Sequence, residues 1–381
     1  MNYSNRKKIV ISCAALLLLS GILTACGDIG EALGGAGGLG NQGEATAVPE
    51  EEAEELPTIE VPPTATPIPT PFGSILFVSN RDGQMSLYKT TPTGVEAVRL
   101  TTNGSEAINP ILSPDRTRVA FVSTVGDNTD IYILDLNTLV ATRLTNAPER
   151  DSAPSWSPNG QQIVFESFRD GNLEIYIANA DGSNQTRLTN DPAGDHTPVW
   201  SPVNNEIAFV SNRFGNSDIL LLTPNGQVNT LTTNVAADSA PAWSPDGRFV
   251  AYKTAVGHLA NLCIIGRDGL NQVCINSTPF EFGVPVWSPD GNWIAVHARH
   301  GENEYGITAF NIVDGRIVRI SAPGINARGT PSWSPDSVHL VFQAQVDGED
   351  MDLFIATIPT NEFIRLTATT AHDGEPIWFE Q

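Results

Sequence analysis

The stretch "APSWSPNGQQIVFESFRDGNLEIYIANADGSNQTRLTNDPAGDH" (153–196) holds four short β-rich runs separated by turn signals. Run A ends in Pro154-Ser155-Trp156. The "SPNG" that follows is a tight turn, with Pro fixing φ at its second position and Gly supplying positive φ. Run B is the apolar Ile163–Phe165 segment, a polar loop leads to run C around Tyr176, and the "DG" of 181–182 turns the chain into run D, "TRLT". Alternating, β-branched and aromatic-rich runs of this length between Gly, Pro, Asn and Asp read as strands.

The unit recurs. Its "PxW" proline falls at Pro110, Pro154, Pro198, Pro241, Pro285, Pro331 and Pro376, at intervals of 44, 44, 43, 44, 46 and 45. The apolar run begins at Ile75, Val119, Ile163, Ile207, Val250, Ile294 and Leu340, and the "RLT" anchor or its variants at Arg99, Arg143, Arg187, Thr230, Cys274, Arg319 and Arg365. Four strands in a unit of this period, repeated, are the signature of a β-propeller blade. The Gly and Pro punctuation, with no long stretch of 3.6-residue period, excludes a helical repeat. The first unit has runs B, C and D (Ile75, Tyr88, Arg99) without a preceding "PxW", and Pro376-Ile377-Trp378 has "PxW" with nothing after it. The two fragments complete one blade. The expected fold is all-β: a seven-bladed propeller of four-stranded antiparallel blades over 72–381, closed by the strand at 376–378 pairing near Ile75–Ser79.

The consensus "PxWSPDGxxIAFxSxRDGxxxIYxxxxDGxxxxRLT" resembles the WD-like repeat of the TolB-type periplasmic propeller proteins. Trp156, Trp200, Trp243, Trp287, Trp333 and Trp378 keep its tryptophan, and Leu112 replaces it in blade two. The chain departs from TolB itself in counting seven units rather than six, and in carrying a low-complexity segment where TolB has an α/β domain. The resemblance implies an extracytoplasmic, non-catalytic interaction platform.

The chain has 381 residues, with 43 Asp and Glu against 21 Lys and Arg, a formal charge of −22. That balance argues against a nucleic-acid footprint, which needs clustered Lys and Arg, and against electrostatic attachment to anionic lipid. A chain of this size buries a large core without staples, so its four cysteines are not a small-protein disulfide framework.

Residues 1–26 read as a basic segment (Arg6, Lys7, Lys8), an apolar segment from Ile9 to Leu23, and Leu23-Thr24-Ala25-Cys26. The apolar stretch is short for a spanning helix. The tetrapeptide resembles a bacterial lipobox, which implies a signal peptide over 1–25 and a diacylglycerol on Cys26. Loss of three cations takes the mature charge to about −25, so membrane contact would come from the acyl chains, at ~0.8 kcal/mol per buried CH₂. Residues 26–71 run from Gly-rich through glutamates to Thr/Pro-rich sequence. A segment with so little apolar surface to bury reads as a disordered spacer.

In a propeller of this type the B–C and D–A loops share one face, where a ligand is expected, and the short "SPDG" and "DG" turns form the other. Three residues before the "PxW" proline stand Asp151, Asp195, Asp238 and Asp373, with Arg328 in blade seven. Either they ring the channel mouth and bind a cation or a peptide terminus, or each aspartate bonds its own loop, as Asp does in turns. Arg81, Arg169 and Arg213 recur in the B–C loops, placed to fork onto carboxylates of the adjacent loop or to serve the repeat structurally. Cys263 and Cys274 fall opposite each other in a hairpin, where a disulfide is expected outside the cytoplasm and two packed free thiols are the alternative. No G-x-S-x-G, H-E-x-x-H or paired C-x-x-C occurs. The reading is therefore a lipid-anchored, extracytoplasmic platform without cofactor that binds a protein, a peptide or a cell-envelope component. The alternative is a metal-dependent lyase or hydrolase of extracellular polysaccharide, which would need three of His196, His258, His300 and His372 to converge.

Overall fold

A computed structural model describes residues 70–94, 97–101, 105–256, 259–275, 282–302, 304–346 and 350–380. The expected signal peptide, Cys26 and nearly all of the spacer lie outside the described residues, as does His258.

The strands form seven four-stranded sheets, each antiparallel throughout. Blade two shows the order: strand A is Ile108–Leu112, B Arg118–Val125, C Asn128–Asp135 and D Ala141–Arg143. Blades three to seven repeat it, opening with Asp195–Trp200 in blade four and Ala237–Trp243 in blade five. Blade one takes its strands B, C and D from Ser74–Ser79, Ser86–Thr90 and Val98–Arg99, and its strand A from Asp373–Phe379. The closing register pairs Ser74 with Phe379, Ile75 with Trp378 and Leu76 with Ile377. Each strand A touches the strand A of the next blade, from blade two round to blade one and back, so the ring is closed and these strands line its centre.

Strand B explains the continuous apolar runs. A strand buried on both faces has no polar side to alternate with. In blade one, Leu76 and Val78 pack with Val119 and Phe121 of blade two, while Ile75 and Phe77 pack with Val341 of blade seven. The tryptophans stitch neighbouring blades: indole Nε1 of Trp156 donates to Ile111 O at 3.1 Å, and those of Trp243, Trp287 and Trp333 reach back in the same way. At the closure, Trp378 Nε1 donates to Phe72 O at 2.7 Å. Gly73 precedes strand B there with φ +93, and a Cβ on it would lie 2.4 Å from Phe379 O. Only glycine accepts both that conformation and that approach.

Cys263 of strand C and Cys274 of strand D are direct cross-strand partners in blade five, joined by a disulfide with Cα atoms 4.0 Å apart. The sequence separation is 11. Closing a loop of this size contributes about 2–3 kcal/mol in the chain-entropy account. Reductant should lower the thermal midpoint of the wild type and leave a Cys263→Ala/Cys274→Ala variant unaffected. Equal melting of the wild type with and without reductant would show that the bridge contributes nothing.

Candidate functional site

The loop face is built on a repeated ion pair. Asp151, Asp195 and Asp373 open strand A of blades three, four and one, and all three are fully buried. Arg169 Nη2 donates to Asp151 Oδ2 at 2.9 Å, Arg213 Nη2 to Asp195 Oδ2 at 2.7 Å, and Arg81 Nη2 to both oxygens of Asp373 at 2.9 and 3.1 Å. Each guanidinium stacks on its own blade: Arg169 lies 4.5 Å from the Tyr176 ring centre and Arg81 4.8 Å from that of Tyr88. Asp238 is buried as well, without an arginine, and Arg328 lies over Tyr305 of blade six at 4.3 Å. The aspartates are therefore inside the blades, not an open collar. In three of the four the partner is an arginine side chain, where the sequence suggested loop backbone.

The reason is a bulge. In six of the seven blades the strand A–strand B register shifts just before the "PxW" proline. Ala153, Thr197, Ala240, Glu375 and Asn109 take positive φ there, and Gly329 does so in blade seven. A bulge interrupts the in–out alternation of a strand, so which way each side chain faces was not readable from spacing. Three of these bulge amides are bonded from the blade before. Thr197 N donates to Glu166 Oε2 at 2.9 Å, Glu375 N to Gln343 Oε1 at 2.6 Å, and Asn109 N to Glu375 Oε2 at 2.5 Å. Sequence reasoning missed Glu166, Gln343 and Glu375. Their only signal was a polar residue at a strand position that should be apolar or variable. Burial pushes the Glu375 carboxyl above the usual range.

His196, His300 and His372 stand in different blades or beside them. His196 Nδ1 lies 3.0 Å from Thr197 Oγ1 in blade four, and His300 Nε2 2.8 Å from Thr308 Oγ1 in blade six. Burial lowers both. The backbone amide of His372 bonds Asn80 Oδ1 at 2.8 Å beside blade one. Among the described residues no three His, Cys, Asp or Glu come together as a metal-binding group.

Blade four departs from a pattern that blades two, three and seven share. Strand C of blades two, three and seven carries a buried carboxylate near its start, Asp130, Glu174 or Asp352, paired to the strand-D arginine of its blade, Arg143, Arg187 or Arg365. In blade four the carboxylate remains as Asp218, and Thr230 pairs with Leu220 at the arginine position. The neighbouring Asp238 lacks its arginine too, since the register pairing Asp238 with Thr254 puts Val256 where Arg213 stands in blade four. Both carboxyls sit above the usual range, Asp218 through burial and the charge of Asp238, and Asp238 through burial. A carboxyl raised in the folded state costs stability at neutral pH, and the cost is relieved as pH falls below its folded value towards 3.8, the unfolded one. Asp218→Asn should thus melt about 2 °C or more above the wild type near neutral pH, with the gap closing towards pH ~4. A gap independent of pH would mean that Asp218 is not strained.

Residues 94–261 match the family model of the TolB beta propeller domain. No curated protein matches the chain. Among solved structures, an oligogalacturonate lyase in complex with manganese is similar at 18% identity and TM-score 0.65, over 75% of this chain and 86% of that one. TolB from Acinetobacter baumannii is similar at 21% identity and TM-score 0.53, over 82% of this chain and 68% of that one. A puromycin-hydrolyzing peptidase from Mycobacterium tuberculosis is similar at 15% identity and TM-score 0.60, over 75% of this chain and 50% of that one, so the chain spans about half of it. At these identities the likeness is one of fold. The shared fold does not separate binding from catalysis.

Proposed function

We propose that this TolB-like, seven-bladed propeller is a membrane-tethered, extracytoplasmic platform whose B–C and D–A loop face binds a peptide or protein segment without catalysing a reaction. One observation carries the reading. Phe168 and Phe214, in the B–C loops of blades three and four, and Val235, in the D–A loop after blade four, are exposed large apolar residues on that face. Beneath the two phenylalanines, Asp151 and Asp195 are already held by Arg169 and Arg213 of their own blades. Exposed apolar side chains rimmed by polar ones favour a protein or peptide partner.

The test uses the full chain as bait in envelope extract. Specific capture should fall about tenfold in a Phe168→Ser/Phe214→Ser variant, the effect of losing an anchoring aromatic. Capture equal to wild type would move the interface elsewhere. The tether is tested in the same cells: Cys26→Ser should shift the protein from the membrane to the soluble fraction, and unchanged fractionation would count against lipidation. The competing reading, a lyase or hydrolase of extracellular polysaccharide, draws on the similarity to an oligogalacturonate lyase. Release of unsaturated products from oligogalacturonate by the purified chain would establish it.

A further inference from the structure

The missing arginine of blade four leaves a site with a definite chemical shape. In blade three, Arg187 Nη2 donates to Glu174 Oε1 at 2.6 Å, its Nε to Thr189 O at 2.6 Å, and its Nη1 lies 3.3 Å from Asp170 Oδ2. Thr189 Oγ1 donates to Glu174 Oε2 at 2.6 Å. Blades two and seven repeat this bond set with Arg143, Asp130 and Thr145, and with Arg365, Asp352 and Thr367. Blade four keeps the acceptor side. Asp218 opens strand C, and Thr232 Oγ1 receives the Ile219 amide at 3.0 Å, as Thr189 Oγ1 receives that of Ile175.

What changes is everything around the guanidinium position. Thr230 replaces the arginine, Phe214 stands where Asp170 stands in blade three, and Leu220 where Tyr176 stands. A cavity of about 430 Å³ opens there, lined by Phe214, Asn216, Asp218, Thr230, Asn234 and Val235 among others. Asp218 is 2% exposed; the side chains of Thr232 and Asn216 bond its carboxylate, yet among the described residues its Oδ1 has no hydrogen-bond partner. Neither has Oδ1 of the buried Asp238 next to it. A buried carboxylate oxygen without a donor is costly, and three sister blades show which donor suits the place. At the rim, Phe214 is 60% exposed and supplies a ring face for a planar cation.

We infer that the blade-four cavity is a receptor for a guanidinium group, the side chain of an arginine presented by a bound peptide, which takes the position that blades two, three and seven fill with an arginine of their own. Asp218 accepts the fork, Asp238 adds the second negative charge, and Phe214 covers the flat face of the cation. A fork-shaped donor suits a carboxylate better than a point charge does. The inference rests on the loop face being the binding face and assigns one side chain of the ligand.

The probe is N-acetyl-L-arginine amide, titrated into the purified full chain and followed by calorimetry or NMR. The expected result is saturable binding that weakens about tenfold or more for the neutral isostere N-acetyl-L-citrulline amide and for Asp218→Asn. Thr230→Arg should abolish binding and raise the thermal midpoint, because it restores the internal pair. That variant keeps the test decisive if Asp218→Asn perturbs folding. Four results would overturn the inference: equal binding of the citrulline probe, undiminished binding by Thr230→Arg, tighter binding of free L-arginine than of the capped form, or displacement of the probe by millimolar calcium. The two readings fail separately. Extract capture that depends on Phe168 but survives Thr230→Arg would leave the platform standing and remove the arginine pocket.

Discussion

Deletion of residues 374–381 is expected to abolish cooperative folding of the whole ring. The deleted segment supplies strand A of blade one, including Trp378 and Phe379, which are 5% and 2% exposed. Truncating a buried Trp or Phe costs about 3–5 kcal/mol each. Two of them approach the ~5–15 kcal/mol that separates most folded domains from unfolded ones. The deletion also strips strand B of its inner partner, although all six residues of that strand are buried. It opens the contact between the A strands of blades seven, one and two. Loss of near-UV circular dichroism and of the cooperative melt would be the readout, with deletion of 27–69 melting like the full chain. A truncated protein melting within a few degrees of wild type would mean that the ring does not depend on this closure.

The next largest effect belongs to Arg81→Ala. Arg81 and Asp373 are 292 residues apart in sequence and face each other across the closure, the guanidinium gripping both oxygens of a fully buried carboxylate. Removing one member of a buried pair strands the other without compensation, at about 3–5 kcal/mol. Among the described residues, Thr369 Oγ1, donating to Asp373 Oδ2 at 3.3 Å, would remain to meet the charge. Chemical denaturation should show that loss, and Arg81→Lys should recover only part of it, since an ammonium cannot fork. In an Arg81→Met/Asp373→Asn double variant the loss should shrink, because no charge is left buried. Arg248→Ala, which breaks an ion pair with Asp246 whose side chains are 66% and 54% exposed, is the control and should cost ~0–1 kcal/mol. Equal effects of Arg81→Ala and Arg248→Ala would refute the argument.

The blade count, strand order and closing strand were legible because each depends on period, turn chemistry and apolar runs, which are local. Cys263 and Cys274 were legible as a facing pair for the same reason: hairpin register follows from the turn between them. The fate of Asp151, Asp195 and Asp373 was not. Their position is periodic, but the bulge at Ala153, Thr197 and Glu375 resets which face each neighbouring residue shows, and no spacing rule announces a bulge. The arginines were visible as repeats and correctly suspected of forking onto carboxylates, whereas their partners lie within their own blades and not on an adjacent loop. Thr230 was visible as a variant of the "RLT" anchor. What it means depends on Asp218 being buried with no arginine opposite it among the described residues, and that is a tertiary fact.

The closure of blade one also sets an order in time. Strand B at 74–79 is among the first parts of the propeller to be made, and its inner partner at 373–379 among the last. At roughly 5–20 residues per second of synthesis, that wait is on the order of 15–60 s. Throughout it, "SILFVS" has one edge unpaired, and a flat apolar strand with an open edge is a template for pairing with other chains. The same contact that makes the finished ring hard to open makes the unfinished one prone to join its neighbours.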